Sequence, residues 1–283
     1  MKKYKPYLTR VDLVKNQVAR EELREQEAKA ARKKKAQQQN RERWLRYQEQ
    51  LRSELAARYF HGVMSAGGES FSNKYSIAFD GVNDRVELAP NLPLGVMTIS
   101  FWMKTTDSEG NKSVTGNGLN KLNFIGTSPL ILLGSSNYRY FESQLSKFDG
   151  QWHHWLVLVA GDQTNDITNS RIFVDGQEIN PTTTVLSSGP AAYFSNQLIG
   201  IGTYGAIAAN IDEFAVWQAD KTGDIDFLYN NGLPGDITSL NPVLYYRMGD
   251  NDGGTGTTVT DQGSGGSNGT LLNGATFEED VPS

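Results

Sequence analysis

The sequence predicts a mostly β fold, a β-sandwich carried behind one long N-terminal α-helix. Three observations lead there. Residues 1–62 hold 17 Lys and Arg against 8 Asp and Glu, whereas residues 63–283 hold 10 against 24. All 29 glycines lie at or after Gly62. From that point short alternating stretches rich in Val, Ile, Phe, Tyr and Trp replace a run of helix formers. A basic, glycine-free arm of net charge +9 thus precedes an acidic, glycine-rich body of net charge -14, an asymmetry that suggests two jobs.

The arm comes first, over residues 1–62. From Arg10 to Phe60 there is no Gly or Pro, and Ala, Glu, Lys, Arg, Gln and Leu dominate. Thr9 is a credible N-cap with Asp12 three residues on, and Gly62 a credible stop. About fifty helical residues would form a rod of roughly 75 Å. Its apolar residues fall in two patches, Val11, Val14 and Val18 near the start, and Trp44, Leu51, Leu55 and Tyr59 near the end. Only alanines interrupt the polar residues between Arg24 and Arg43, so a continuous coiled-coil seam fails there. The middle is solvated or lies on an acidic partner surface. Both patches are expected to dock onto other proteins of a large assembly, or onto further copies of the chain. Lys33, Lys34 and Lys35 raise nucleic acid as a partner, but Glu21, Glu22, Glu25 and Glu27 interleave with the basic residues as on a solvated helix, which disfavours it.

A Gly/Ser linker is expected over residues 63–73 and a sandwich over 74–240, with a glycine-rich segment, 241–283, packed on it. Strands are expected at Ser76–Phe79, Arg85–Leu88, Thr98–Lys104 and Arg171–Val174. Asp80-Gly81 and Asp175-Gly176 are hairpin cues between such stretches. Gly223–Asn231 reads as one short helix, with Ile225, Phe227 and Leu228 as its apolar residues.

Composition removes several chemistries. With no Cys there is no disulfide framework, thiol catalysis or Cys-ligated zinc. No run of about 18 apolar residues crosses a membrane as a helix. The start of the chain is basic without a following apolar stretch, which argues against a cleaved secretion signal.

Five stretches, in order, carry a family resemblance: Tyr75–Leu88, Met97–Lys104, Gly150–Trp155, Arg171–Gln177 and Asn210–Trp217. Together they resemble a laminin-G-like domain, and the resemblance implies a concanavalin A-like jelly roll of two stacked antiparallel sheets. The stretch from Leu244 to Thr276 is similar to the segment that often follows such domains.

Some relatives of that fold are glycanases that carry Glu-x-Asp-x-x-Glu on one strand. No Glu here starts such a pattern. The strand-borne pair Asp212-Glu213 should point to opposite faces, out of reach of one bond. Catalysis is therefore not expected. His153 and His154 read as structural, and Trp102, Trp152, Trp155 and Trp217 as packing. The resemblance implies that calcium is a cofactor to consider. Asp250, Asp252 and Asp261 supply oxygen ligands, although their spacing departs from an EF-hand and a polar turn explains them too. For a glycan, Tyr138, Tyr140 and Tyr204 are the candidates, the first two sharing one strand face, as core residues also would.

Three functions compete. The first is a non-enzymatic component of a virion-like particle, a tail fibre or capsid decoration protein, docked by its arm and displaying a lectin-like domain to cell-surface glycans. Its location would be the virion. The second is a secreted bacterial lectin or adhesin, and the third a glycanase.

Overall fold

The computed structural model describes residues 71–283 apart from 89–90, 93–94, 117–120, 134–136, 162–163, 187–193, 196–197 and 203. The expected arm, with Val11, Val14, Val18, Trp44, Leu51, Leu55 and Tyr59, lies outside the described residues, as do residues 63–70 of the expected linker.

In chain order the strands begin with β1 (Ser76–Asp80), β2 (Arg85–Glu87), β3 (Asn91–Leu92), β4 (Met97–Lys104), β5 (Asn111–Ser113) and β6 (Thr115–Gly116). There follow β7 (Lys121–Ile125), β8 (Ser128–Leu133), β9 (Asn137–Phe141), β10 (Trp152–Val159), β11 (Arg171–Val174), β12 (Gln177–Glu178) and β13 (Pro181–Val185). Next are β14 (Phe194–Ser195), β15 (Leu198–Ile199), β16 (Ile201–Gly202), β17 (Gly205–Ala206) and β18 (Ala208–Trp217). After helix α1 (Ile225–Tyr229) come β19 (Leu244–Tyr246), β20 (Thr258–Val259), β21 (Gly269–Leu272) and β22 (Thr276–Glu278).

One layer is an eight-stranded sheet in the order β12-β11-β10-β4-β18-β1-β22, with β19 beside β18. Two five-stranded sheets face it, β13-β9-β8-β7-β5 and β20-β21-β2-β15-β6. They are stitched at Val114, between β5 and β6: its N–H donates to Leu122 at 3.0 Å and its carbonyl accepts from Gly200 at 2.9 Å. Side chains of all three sheets meet in one core, where Phe124 stands edge-on to Trp155 at 5.2 Å.

β4 shows why the middle sheet is so apolar. Its Met97, Ile99, Phe101 and Met103 enter the main core. Thr98, Ser100 and Trp102 alternate to the other face and are buried as well, so every residue but Lys104 is buried. That other face carries a second, smaller core of Leu156, Phe173, Ala215, Trp217, Leu228 and Tyr245, closed by α1. Each such aromatic or aliphatic burial contributes about 1.5–3 kcal/mol. The helix expected at Gly223–Asn231 is a single α-turn flanked by 3-10 turns. It stops because Asn230 and Asn231 take left-handed angles, φ 45° and 56°.

The two hairpin cues part company. Asp175-Gly176 joins β11 to β12 with both residues at positive φ, 49° and 77°, as a two-residue hairpin turn requires. Asp80-Gly81 makes no hairpin: β1 pairs with β18 and β22, while β2 pairs with β15 and β21. The turn is a corner between layers. Asp80 Oδ1 accepts the Val82 N–H at 2.7 Å, and Asp84 Oδ2 accepts the Asp80 N–H at 3.0 Å. Gly81 is at φ 79° with Ala208 pressed on it, leaving a side chain no room.

The last forty residues enter the sheets: β19 and β22 extend the eight-stranded one, and β20 and β21 the second five-stranded one. Residues 71–73, at the end of the expected linker, are docked on the body. The Phe71 ring lies 4.3 Å from the Arg247 guanidinium carbon, and Asn73 Nδ2 donates to Asp212 at 2.8 Å.

Candidate functional site

The tyrosines named from sequence come together on the outer side of the sheet β13-β9-β8-β7-β5. In β9, Arg139 and Phe141 face the main core side, so Tyr138 and Tyr140 face outward. Their rings meet edge to face at 5.4 Å and both are half-buried. Register extends this face across the sheet. Tyr138 pairs with Leu132, Tyr140 with Leu130, Leu130 with Asn123, and Asn123 with Ser113. Leu130, Leu132, Asn123 and Ser113 are buried. At the far end the Tyr204 N–H donates to Ser113 Oγ at 3.4 Å, and Tyr204 is 38% exposed. Burial raises the Tyr140 pKa first, and the neighbouring Tyr138 and Tyr204 phenols raise it further, so all three lie within one electrostatic neighbourhood.

Asn123 is the member of this face that sequence reasoning missed. Ser113 Oγ donates to its Oδ1 at 2.7 Å, while its buried Nδ2 has no hydrogen-bond partner. A buried amide N–H without a partner costs about 1–3 kcal/mol and calls for an explanation. In the sequence, Asn123 is one polar residue in an apolar strand, and nothing there marks it. The amide lies beneath this face and not on it, since Asn123 and Ser113 are both fully buried, and the tyrosines are what the face presents.

Asp250, Asp252 and Asp261, the candidate calcium ligands, are each engaged with other partners in this structure. Asp250 Oδ1 accepts the N–H groups of Lys74 and Tyr75 at 2.8 and 3.0 Å, and its Oδ2 takes Arg247 at 2.6 Å. Asp252 caps Thr260 through its N–H and hydroxyl. Asp261 holds the N–H groups of Tyr245, Gly263 and Ser267 at 2.8, 2.8 and 2.9 Å. Each carboxylate closes a different turn, and among the described residues no group of three His, Cys, Asp or Glu converges as a metal site would.

The Asp212-Glu213 pair needs a correction. A β-bulge interrupts the pairing of β18 with β4 between Asp212 and Ala215, and Glu213 sits at φ 48°. The extra residue breaks the alternation, so Glu213 and Asp212 lie on the same, outer side. Glu213 Oε2 accepts from the Tyr245 hydroxyl and its Oε1 from Arg247 Nε at 3.2 Å. Both carboxyls are enclosed, Asp212 at 0% exposure and Glu213 at 4%. Burial pushes the Glu213 pKa up to about 7 against the pull of Arg247, and burial with the neighbouring Glu213 raises Asp212 well above its usual range. Enclosure and bonding, not opposite orientation, keep this pair from a substrate.

The histidines are structural. His154 is buried, its Nε2 2.8 Å from Ser100 Oγ, and burial lowers its pKa to about 3. His153 lies 2.8 Å from Asp175 and 3.2 Å from Asp149, and the Asp175 hydrogen bond raises its pKa. Trp102, Trp155 and Trp217 are buried, and Trp152 Nε1 donates to Asp280 at 3.1 Å.

A family model described as the concanavalin A-like lectin/glucanases superfamily (Laminin_G_3) matches residues 80–224. No curated protein matches the sequence significantly. Among solved structures, a candidate carbohydrate-binding protein from Bacteroides ovatus is similar with a TM-score of 0.54 at 18% identity, covering 75% of this chain and 62% of that one. The present chain thus spans less than two thirds of that relative. The Limulus polyphemus SAP-like pentraxin aligns with a TM-score of 0.39 at 13% identity, over 56% of this chain and 82% of that one. Domains LG4-5 of the mouse laminin alpha1 chain align with a TM-score of 0.38 at 15% identity, over 53% and 46%.

Proposed function

We propose a non-catalytic glycan-binding role for this chain, which belongs to the concanavalin A-like lectin/glucanases superfamily. The observation that carries the proposal is the outer face of β9, where the Tyr138 and Tyr140 rings meet edge to face and Tyr204 lies in the same electrostatic neighbourhood. Sugars present apolar C–H faces to aromatic rings and hydroxyls to phenol oxygens, and the half-buried tyrosines offer both. The fold likeness to the Bacteroides protein agrees with this reading.

The body then acts as the displayed part of a virion-like particle. The arm, +9 in residues 1–62, is the docking part, with Val11, Val14, Val18, Trp44, Leu51, Leu55 and Tyr59 as apolar anchors. The contrast with a body of -14 supports the division, since a basic arm is drawn to an acidic groove. The test has two arms. Full-length protein on a glycan array should bind a defined set of glycans, and the Tyr138→Ala, Tyr140→Ala variant should lose at least tenfold in affinity. Deletion of residues 1–60 should leave glycan binding intact and abolish incorporation into the particle. Normal copy number of the truncated chain would move docking to the body.

A further inference from the structure

We propose that residues 71–74, which follow residues 1–70 in the chain, form a pH-sensitive latch that closes over the Asp212-Glu213 pair and loosens as pH rises. Side chains far along the chain hold it. Arg247 is the hub. Phe71 lies over its guanidinium, Nη2 donates to the Ser72 carbonyl and to Asp250 Oδ2, each at 2.6 Å, and Nε donates to Glu213 at 3.2 Å. Asp250 Oδ1 accepts the N–H groups of Lys74 and Tyr75, and Asn73 Nδ2 donates to Asp212. Tyr75 is anchored in a further way, by a ring that presses on Gly249 and Gly254, and β1 begins at the next residue. The segment can therefore lift as far as Tyr75 while the sheets stay intact.

The charges under the latch do not balance. Among the described residues, the carboxyls of Asp212, Glu213 and Asp250 share one guanidinium, and Asp212 and Glu213 are both enclosed. The surrounding groups leave that imbalance in place. Tyr245 donates its hydroxyl to Glu213, and burial, then Glu213, keeps it protonated. Asp236 acts on Tyr245 with the same sign as the carboxyls, and Lys74 acts on Asp250 from the surface. β4 sets Trp102 opposite Asp212, and its Lys104 is paired with Asp280 at 2.7 Å. His154 of β10, opposite Trp102, is neutral. β1 brings the uncharged Ser76 and Ala78 to this side, and β22, one strand further, carries Glu278 at the surface.

With all three carboxyls ionised, two uncompensated negative charges would lie together, and two of the carboxylates belong to adjacent residues. The closed latch therefore keeps at least one proton. Burial raises Asp212 well above its usual range and brings Glu213 to about 7, in accord with that imbalance. When the segment lifts, water reaches Asp212 and Arg247, and the carboxyls ionise nearer their ordinary values. The closed form thus binds more protons than the open one. Opening gains as pH rises from the ordinary Glu value of 4.5 toward 7 and beyond, at most about tenfold per pH unit for each proton released. Release frees four residues, roughly 13 Å of reach when extended.

The experiment measures hydrogen exchange at the Lys74 and Tyr75 N–H groups of the full-length chain, labelled with nitrogen-15, from pH 5.5 to 8. Each rate is corrected for its intrinsic pH dependence. Protection at both groups should fall at least tenfold across that range. Low urea should leave their exchange unchanged while it speeds that of the β4 N–H groups, because a local opening exposes little surface. The double variant Asp212→Asn, Glu213→Gln leaves one carboxylate for one guanidinium, and its protection should be flat with pH. Phe71→Ala should lower protection by a similar factor at every pH. Flat protection in the native chain, or a urea response equal to that of β4, overturns the proposal. So does an unchanged pH slope in the folded double variant, or unchanged protection in Phe71→Ala. None of these readings involves the tyrosine face.

Discussion

On the outer side of the eight-stranded sheet, Trp102, Trp217, Tyr245 and His154 are buried beneath α1 and the residues that follow it. Trp102 stacks on Tyr229 of that helix at 6.2 Å. On the outer side of the sheet led by β13 and β9, the same two-residue alternation leaves Tyr138 and Tyr140 half-buried and brings Tyr204 beside them. Aromatic residues populate both faces. A cover turns one set into a second core, whereas the tyrosines stay half-buried above the buried Leu130 and Leu132 of their own sheet. The aromatic content of a strand thus says little about function until its cover is known.

The sharpest way to break this contrast is to truncate both sets. Trp217→Ala empties the covered face and strips the Nε1 hydrogen bond to Leu240, 3.0 Å long. Its cost should be about 3–5 kcal/mol in denaturant unfolding. A loss under 1 kcal/mol would mean that the second core is not a core.

The covered face also holds titratable groups, and these give opposite pH slopes. Glu213 has a folded pKa of about 7, above its ordinary value of 4.5, so its contribution to stability is present below pH 4.5 and is lost as pH rises toward 7. His154, lowered from 6.5 to about 3, contributes above pH 6.5 and loses that as pH falls. The stability of the native chain minus that of Glu213→Gln should fall across pH 4.5–7, by at most about 1.4 kcal/mol per pH unit. Urea melts at four pH values measure it, and a flat difference would show that Glu213 stays ionised.

Asp261→Ala removes three backbone contacts and should cost about 1–3 kcal/mol. Adding millimolar calcium to the native chain should leave the melting temperature unchanged, whereas a rise would return the three aspartates to a metal role. Smallest in stability is Tyr140→Ala. It should cost about 0.5–1.5 kcal/mol from the lost ring pair, while glycan binding falls by an order of magnitude. A large unfolding cost with unchanged binding would make the tyrosines another piece of core.

The local features were legible in the sequence. Arg171–Val174 was expected as a strand and is one, because alternation is set by neighbours along the chain. The Asp175-Gly176 turn was legible for the same reason, as its left-handed angles belong to two adjacent residues. The five ordered stretches that carry the family resemblance are local in the same sense. Tertiary structure decided what depends on partners distant in the chain. Asp80-Gly81 has the composition of a hairpin, but β2 finds its partners more than a hundred residues away, in β15 and β21. The bulge that brings Glu213 beside Asp212 arises from pairing with β4, and no residue of β18 announces it. Asp250, Asp252 and Asp261 read as oxygen ligands until the N–H groups that they cap are in place. Arg247 is one basic residue after two tyrosines, and Phe71, Glu213 and Asp250 gather on it only once the chain folds around it. The sequence determined which segments are strands, because that preference is local; the fold decided which polar groups remain unpaired, because pairing is a property of space.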